Sequence, residues 1–338
     1  MKKNINNQLI LYLIILSFFS VFYLFHKHNV GNDSTISEWI INYSGGFTKR
    51  GLVGEIAVWI SNIFNLKLRF SIFLFQTFLI FTYFTLLYYF FKNIKLNKLM
   101  ILSIFTPIFI LYPVAEIEVL ARKELFIFCI YIIYLNIQKI HLKNIYKIIF
   151  LPVAVLIWEP VVFFFPFWLA VDIINNKNIS INNILFKNLP TFIPSILIAI
   201  YIALNPITET NHTIMVDFLK NNFNEECYMS CGLLLVKSSI YSQFESQFDK
   251  YSFEVFLRYF LIILIGFGPL FILTLLSKLK HKNLFFFKNF NNLFFPLLII
   301  LSPVIILFAM GYDWGRWVNI SYVYSALFYF YLYKKNYL

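Results

Sequence analysis

Charged residues are scarce in this chain, and their scarcity excludes a soluble globular protein. They make up 13% of its 338 residues, about half of the share in ordinary soluble domains, whereas 60% of the residues are hydrophobic and 21% aromatic. Apolar runs of 16 to 22 residues recur along the whole sequence, and an α-helix needs about 20 residues to cross a bilayer. The sequence therefore predicts an all-α, polytopic integral membrane protein with a single transmembrane domain over residues 1–338.

The motifs of common nucleotide, cofactor and metal sites are also missing. The sequence holds no Walker, Rossmann or serine-nucleophile signature, and His26, His28 and His212 show no ligand spacing. Three cysteines are too few for a disulfide framework. We therefore expect neither a metal site nor a cofactor. Nucleic acid is excluded as a partner, because the lysines lie between apolar runs rather than on one basic patch.

Eight apolar runs are long enough to be interpreted as spans: 9–25, 70–91, 99–114, 121–137, 189–204, 256–276, 293–310 and 317–332. The first lacks a small-residue cleavage site, so we interpret it as a retained span. A further run, 148–174, is longer than one crossing needs and is broken by Trp158-Glu159-Pro160. We predict about eight full spans plus a re-entrant pair of half-helices over 148–174, or ten helices if that run makes two short spans.

The lysine clusters give the orientation. Lysine-rich loops favour the cytoplasm, and the clusters near the two chain ends agree only if the run 148–174 enters and leaves on the cytoplasmic side. Both termini are then cytoplasmic, the loops 26–69 and 205–254 lie outside, and Glu159 lies at the outer apex. The inner side carries sixteen lysines and one acid, Asp172. In the alternative topology, 148–174 is a single span and the loop 205–254 lies inside.

Arginine is rare, and its placement is informative. Abundant Phe, Ile, Asn and Lys with little Gly and Ala indicate an AT-rich, bacterial coding sequence that uses twenty-three lysines. A guanidinium nevertheless offers a planar fork that holds phosphate or carboxylate bidentately. We interpret Arg69 and Arg258 as interfacial residues at span ends, and three arginines as functional. All five fall on the outer side of the predicted topology: Arg50, Arg69, Arg122, Arg258 and Arg316.

Arg50 lies in a glycine-rich segment, and Arg122 in a charged one. Lys49 and Arg50 fall within residues 42–55, which hold four of the ten glycines, and the backbone N–H groups of such a turn can cradle an anion. A short amphipathic helix, 52–64, is expected to follow on the outer surface. Arg122 precedes Lys123 and stands four residues after Glu118, the spacing of a helical ion pair.

Arg316 ends a turn in which Asp313 and two tryptophans stand close to it. The rings of Trp314 and Trp317 are suited to stack on a sugar or to lie at the lipid headgroups. Asp313 is expected to pair with Arg316.

Glu159 is an acid inside an otherwise apolar run, where it needs a cavity or a partner. Its apolar neighbours are expected to raise its pKa, which suits a catalytic base. Glu159 is therefore the predicted base, and Asp313 is the alternative. Cys227 and Cys231 are four residues apart in the second outer loop, a spacing that permits a disulfide in an oxidising compartment.

These motifs resemble those of the polytopic proteins of bacterial surface-polysaccharide gene clusters. The glycine-rich first outer loop with Arg50, the Arg122-Lys123-Glu124 cluster, the intramembrane Glu159 and the segment Asp313-Trp314-Gly315-Arg316-Trp317 are similar to features of the O-antigen or capsule repeat-unit polymerases (Wzy type). More distantly, the chain resembles the GT-C glycosyltransferases that use polyprenyl-linked donors. Members of that class carry a catalytic Asp early in the first outer loop, where this chain offers only Asp33 and Glu38.

The resemblance implies a metal-independent glycosyltransferase in the bacterial inner membrane. Such an enzyme polymerises oligosaccharide repeat units linked to undecaprenyl diphosphate at the outer face, with the lipid bilayer as its surroundings and a chain-length regulator as a possible partner. Lys49, Arg50, Arg122, Lys123 and Arg316 would hold the donor diphosphate, and Glu159 or Asp313 would activate the acceptor hydroxyl. The alternatives are a GT-C-like transferase with a polyprenyl-phosphate sugar donor and a flippase of lipid-linked sugars.

Overall fold

The long apolar runs fold into α-helices in the computed structural model of the protein. The structure describes residues 2–30, 34–115, 120–175, 181–236, 240–248, 250–280 and 290–338. Among these residues it has no β-strand and one isolated bridge, between Lys278 and Asn292. The predicted all-α class is therefore confirmed.

The described residues contain eighteen α-helices: α1 Lys2–Lys27, α2 Ser34–Ser37, α3 Gly51–Phe64, α4 Leu68–Phe91, α5 Lys98–Ile104, α6 Tyr112–Ala115, α7 Glu124–Asn136, α8 Ile140–Ile157, α9 Phe165–Asn175, α10 Ile181–Asn188, α11 Ile193–Leu204, α12 Glu209–Phe223, α13 Leu233–Val236, α14 Ile240–Phe248, α15 Phe253–Leu276, α16 Phe294–Leu301, α17 Ile305–Met310 and α18 Trp314–Lys334. A π-helical turn, Pro107–Leu111, and three 3₁₀ segments, Glu159–Phe164, Leu189–Phe192 and Ser302–Val304, connect some of them.

Five helices are long and apolar enough to cross a membrane, which supports the polytopic membrane class. They are Asn7–Lys27, Leu68–Phe91, Ile140–Ile157, Phe186–Leu204 and Phe253–Leu276. The predicted span 317–332 is one continuous helix, Trp314–Lys334, although it is not among these five. Three other predicted spans are different in the structure. The runs 99–114 and 293–310 are interrupted beside Pro107 and Pro303, because proline has no N–H to donate to the preceding turn. The run 121–137 is helical only from Glu124 to Asn136.

Helix α18 forms the centre of the bundle. All of its residues from Trp314 to Leu332 are buried except Gly315. Its polar groups satisfy backbone carbonyls near the interruption at Pro107, where the carbonyl of Ser103 lacks its normal helical donor. The hydroxyl of Tyr322 donates to that carbonyl at 2.6 Å, and Asn319 Nδ2 donates to the carbonyl of Ile108 at 2.8 Å. The broken helix is thereby stabilised by the core.

The chain reverses direction at Trp158-Glu159-Pro160. Lys147 Nζ in α8 lies 2.5 Å from Asp172 Oδ2 in α9, and both side chains are fully buried. Lys147 precedes the break by eleven residues and Asp172 follows it by fourteen, so the two limbs run antiparallel with Glu159 at the apex. We call residues 140–175 the hairpin.

The hairpin is longer than the predicted re-entrant run, because its first limb begins at Ile140 rather than at residue 148. Lys143 and Lys147, two of the sixteen lysines that the predicted topology puts on the inner side, lie inside this limb. Asp172 neutralises Lys147, and the ammonium of Lys143 lies 4.5 Å from the centroid of the Tyr134 ring, a cation–π contact. Because both ammonium groups have such contacts, the helix continues through the two lysines instead of ending before them.

Lysines gather at one end of the bundle, which we call the lysine end. Lys334 Nζ donates to the carbonyl of Phe90 near the end of α4, and Lys335 contacts Gln138, two residues before α8. Helix α1 packs along α4 with Phe25 against the ring of Phe73, so its last turn lies at the opposite end. The first turn of α1 and the last turn of α18 thus share the lysine end.

The arginines lie at the other end, which we call the arginine end. Arg69 and Arg316 stand at the starts of α4 and α18, whose last turns are at the lysine end. Arg258 is next to Tyr259, whose ring is 5.2 Å from that of Trp314. Arg50 and Arg122 join Arg316 through ion pairs described below. The five arginines therefore share one end of the bundle, and Lys67 and Lys123 lie there with them.

The buried ion pair at the base of the hairpin yields a stability prediction. Lys147→Met should cost about 3–5 kcal/mol of unfolding free energy, because it leaves the Asp172 carboxylate buried without its cation. The double variant Lys147→Met, Asp172→Leu should recover most of this loss. Denaturant unfolding in detergent checks both values. A single variant as stable as the wild type would contradict the pairing.

Candidate functional site

The start of α3 is pressed against the segment that carries Glu38. A Cβ atom added to Gly54 would lie 1.9 Å from the carbonyl oxygen of Ile41 and 2.7 Å from that of Trp39, so only glycine permits this approach. Arg50, just before α3, adopts a left-handed backbone conformation with φ 63°. Together these features bring the Arg50 guanidinium within reach of Glu38.

Arg50 holds two carboxylates. Its Nε and Nη2 atoms donate to Glu159 Oε2 and Oε1, both at 2.9 Å, in a bidentate fork. Its Nη1 donates to Glu38 Oε1 at 3.0 Å. The backbone carbonyl of Arg50 accepts a hydrogen bond of 2.6 Å from Lys123 Nζ. One residue therefore joins the first outer loop, the hairpin apex and the start of α7.

Arg316 binds further carboxylates in the same arrangement. Its Nη2 donates to Glu38 Oε1 at 3.2 Å, and its Nε donates to Glu124. Its Nη1 lies 3.5 Å from Asp313 Oδ2, which also accepts from Arg122 Nη1 at 3.1 Å. The predicted pairing of Asp313 with Arg316 is present, and Arg122 shares it.

These contacts form one charge-balanced group, which we call the ion-pair cluster. It contains four cations and four carboxylates: Arg50, Arg122, Lys123, Arg316, Glu38, Glu124, Glu159 and Asp313. Buried charges are stable only when they are paired and hydrogen-bonded, and here every carboxylate contacts at least one guanidinium. Its members come from five segments that are far apart in the sequence.

Burial and neighbouring charges shift the pKa values of the groups in the cluster. Burial alone would raise the pKa of Glu38, but the guanidiniums of Arg316 and Arg50 hold it well below its usual range. Burial would likewise raise the pKa of Glu159, yet its fork with Arg50 keeps that pKa below the usual value. The raised pKa that we expected for Glu159 is therefore wrong in this state. Burial lowers the pKa of Lys123 to about 7, although the carboxylate of Glu38 opposes the shift.

A small cleft with a cavity volume of about 10 Å³ opens beside the cluster. Arg122 and Arg316 lie in its wall together with polar and apolar side chains, namely Tyr112, Pro113, Glu124, Leu125, Phe128 and Asn319. The Nε atom of Arg122 is buried and has no hydrogen-bond partner. A buried donor without a partner costs free energy, which an anion bound to this guanidinium would recover.

The glycine-rich segment does not form the open anion cradle that we predicted. A Cβ atom on Gly45 would lie 1.9 Å from the carbonyl oxygen of Asn211, so α12 covers the turn. The backbone N–H groups of Tyr43 and Ser44 already donate to Glu55 and to Asn42 Oδ1. This turn is a docking point for the second outer loop. Lys49 lies near enough to Glu159 to lower its pKa.

The two tryptophans pack in the core rather than present free ring faces. Trp314 is 6% exposed and Trp317 7%. The indole N–H groups donate to the carbonyls of Phe308 and Gly311. The Arg316 guanidinium lies 5.8 Å from the ring centroids of both Trp158 and Trp317. The indoles therefore hold Arg316 in place and do not form a platform for a sugar.

The second outer loop is tied by a disulfide and an ion pair. Cys227 and Cys231 form the disulfide, with Cα atoms 5.2 Å apart, and Arg69 Nε lies 2.6 Å from Glu225 Oε1. His212 Nε2 lies 3.5 Å from Cys227 Sγ, which makes the group resemble a metal site. The bonded sulfurs, however, are not thiolate ligands.

Sequence reasoning missed two members of the cluster. Glu38 was considered only as a possible counterpart of an acid in GT-C enzymes, and Glu124 was not assigned a role. Each had a signal, since Glu38 is a lone acid in the apolar segment 36–41 and Glu124 directly follows Arg122-Lys123. Asp33 and Glu118, also considered, lie outside the described residues.

Comparison of the chain with protein-family models, with curated proteins and with solved structures finds no match.

The tight contact at Gly54 predicts that adding one methyl group at this position destabilises the protein. Gly54→Ala should lower the unfolding temperature and cost about 1–3 kcal/mol, because the added Cβ must move the 39–41 backbone. Gly268→Ala is the matched control: its Cβ would meet nothing within 4 Å, so better helix propensity should make it neutral or slightly stabilising. Equal unfolding temperatures for the two variants would contradict the close approach.

The low pKa of Lys123 predicts a pH dependence. The folded state loses this proton near pH 7, whereas the unfolded state keeps it up to about pH 10.4. The contribution of Lys123 to stability must therefore rise with pH across that window. Lys123→Met should have a smaller gain in unfolding temperature from pH 7 to pH 9 than the wild type. Lys67→Met, at an exposed position, is the control and should keep the wild-type slope.

Proposed function

We propose that this protein is a membrane-embedded glycosyltransferase of the polymerase type. It transfers a growing glycan from undecaprenyl diphosphate to a second lipid-linked repeat unit, at the outer face of the bacterial inner membrane. The observation that carries the proposal is the meeting of Arg50, Arg122 and Arg316 at one end of the bundle, where the buried Nε of Arg122 has no hydrogen-bond partner.

A diphosphate leaving group needs such a set of donors. Its charge grows as the bond to the sugar breaks, and guanidiniums fixed in advance stabilise that charge without reorganising. Arg122 and Arg316 line the cleft, and Arg316 and Arg50 donate to the same oxygen of Glu38. The three guanidiniums are therefore neighbours, since Arg316 shares Glu38 with Arg50 and Asp313 with Arg122.

The size of the cleft limits what enters it. With a cavity volume of about 10 Å³, it has room for no more than about one water molecule. The diphosphate therefore binds at the partly exposed edge of the cluster, where Arg50 is 20% and Glu159 22% exposed, while the glycan and the polyprenyl chain lie outside. Helix α3 offers an apolar face for the lipid next to Arg50, with Ile56, Trp59 and Ile63 exposed on one side of the helix.

Two carboxylates of the cluster are accessible enough to activate an acceptor. Asp313 is 45% exposed and Glu159 22%, whereas Glu38 is 2% and Glu124 8% exposed. The buried pair serves to position the guanidiniums. Glu159 is the proposed base and Asp313 the alternative, each taking the hydroxyl proton as the acceptor oxygen attacks the anomeric carbon.

The charge distribution supports the orientation. The positive-inside rule favours a cytoplasmic lysine end, which supports a proposed orientation with both termini in the cytoplasm and the ion-pair cluster outside. A flippase would need ionisable groups along a path between the two sides. In the described residues the ion-pair cluster lies at one end of the bundle, and the Lys147–Asp172 pair inside the span Ile140–Ile157 is fully buried and neutralised.

The role of Arg122 is testable by a charge-conserving change. Arg122→Lys keeps the positive charge but removes the planar fork and the free Nε donor, so polymer formation in membranes with lipid-linked substrate should fall about 100-fold. Arg258→Lys, an exposed arginine at the same end, should keep wild-type activity. Wild-type polymer from Arg122→Lys would contradict the diphosphate site.

The glycan profile of a deletion strain separates the reaction classes. Loss of polymer with a single repeat unit still present supports the polymerase. Loss of one side branch would instead indicate a transferase that adds a single sugar, and loss of all surface glycan would indicate a flippase.

A further inference from the structure

We propose, building on the function above, that Glu159 occupies the Arg50 fork in place of the donor diphosphate, and that binding of the diphosphate releases Glu159 to act as the acceptor base. The base is then blocked until a donor is bound. The site is gated by its own carboxylate, and the ligand that opens the gate is a diphosphate group.

The geometry of the fork supports the substitution. Arg50 Nε and Nη2 engage both oxygens of Glu159 at 2.9 Å, which is the arrangement that a guanidinium makes with a phosphate. Arg50 donates three hydrogen bonds to the Glu159 carboxylate, and Lys49 acts on it by its charge. An anion that takes the fork therefore removes the carboxylate from its hydrogen-bonded partner.

Glu159 is the carboxylate that can leave. Its side chain is 22% exposed, against 2% for Glu38, so water can solvate it once the fork is taken. It also stands at the hairpin apex, where Trp158 is extended with φ −158° and Pro160 interrupts the helical hydrogen bonding. Glu38 remains in place, because its carboxylate also binds Arg316.

Release changes the chemistry of Glu159. In the fork, both oxygens are hydrogen-bonded and the cation of Arg50 disfavours protonation. Once released beside the diphosphate, the carboxylate accepts the proton of the acceptor hydroxyl as that oxygen bonds to the anomeric carbon. The bond from the anomeric carbon to the diphosphate oxygen breaks, and its electron pair leaves with the diphosphate, which Arg50 now holds. Atoms and charge balance without another reactant.

Inorganic pyrophosphate is the probe for the gate. Calorimetric titration of the purified protein in phosphatidylcholine nanodiscs compares the wild type with Glu159→Gln and Glu159→Ala. Both variants lack the internal competitor, so each should bind pyrophosphate about fivefold more tightly, the scale of a partly exposed ion pair. Glu159→Gln should at the same time form no polymer. Glu225→Gln, which removes the partner of Arg69 outside the cluster, should match the wild type in both assays.

The other outcomes overturn the proposal in distinguishable ways. Equal pyrophosphate affinity of the wild type and both Glu159 variants would refute the gate, while the glycan profile still decides the proposed function. No binding to any of the proteins would refute the diphosphate site itself. If neither Glu159 variant folds, Glu159 is a structural counterion of Arg50, and the gate is refuted. The titration is repeated in nanodiscs that contain phosphatidylglycerol. If pyrophosphate binds more weakly there than in phosphatidylcholine nanodiscs, a phospholipid headgroup is the ligand of the fork.

Discussion

The carboxylate of Glu38 is the interaction on which the arginine end depends. It accepts from Arg50 and from Arg316 while only 2% exposed, so neither guanidinium is left uncompensated in the interior. Removing one partner of such a group leaves a buried charge unpaired, which costs far more than the pair gains. The positions of the first outer loop, of α3 and of α18 are therefore linked through one side chain.

The two ends of the bundle use ion pairs in different ways. At the lysine end, Lys147 and Asp172 are both fully buried, and their pairing holds the limbs of the hairpin together. At the arginine end the pairs form a network whose outer members, Glu159 and Asp313, remain partly exposed. A fully buried pair is suited to stability, whereas exposed members of a network can exchange partners with a ligand. The hairpin connects the two, because its base is fixed and its apex carries Glu159.

Interrupted helices shape the core around α18. Proline removes a donor wherever it interrupts a helix, and a bilayer offers no water to replace it. Tyr322 and Asn319 of α18 supply hydrogen bonds to the carbonyls of Ser103 and Ile108. A helix rich in tyrosine, too polar to face lipid along its whole length, thus becomes the centre of the bundle. Its first turn then places Arg316 in the cluster.

The sequence by itself determined the helical membrane class, the reversal at Trp158-Glu159-Pro160 and the grouping of lysines and arginines at opposite ends. These properties follow from local composition, since the length of an apolar run and the position of a proline act on neighbouring residues. Only the tertiary structure decided the partners. Arg316 pairs with Glu38 and Glu124, Arg50 pairs with Glu159, and Trp314 lies in the interior. Glu38 and Arg316 are 278 residues apart, and no local pattern records which distant carboxylate a guanidinium meets, because that choice is made by the packing of whole helices.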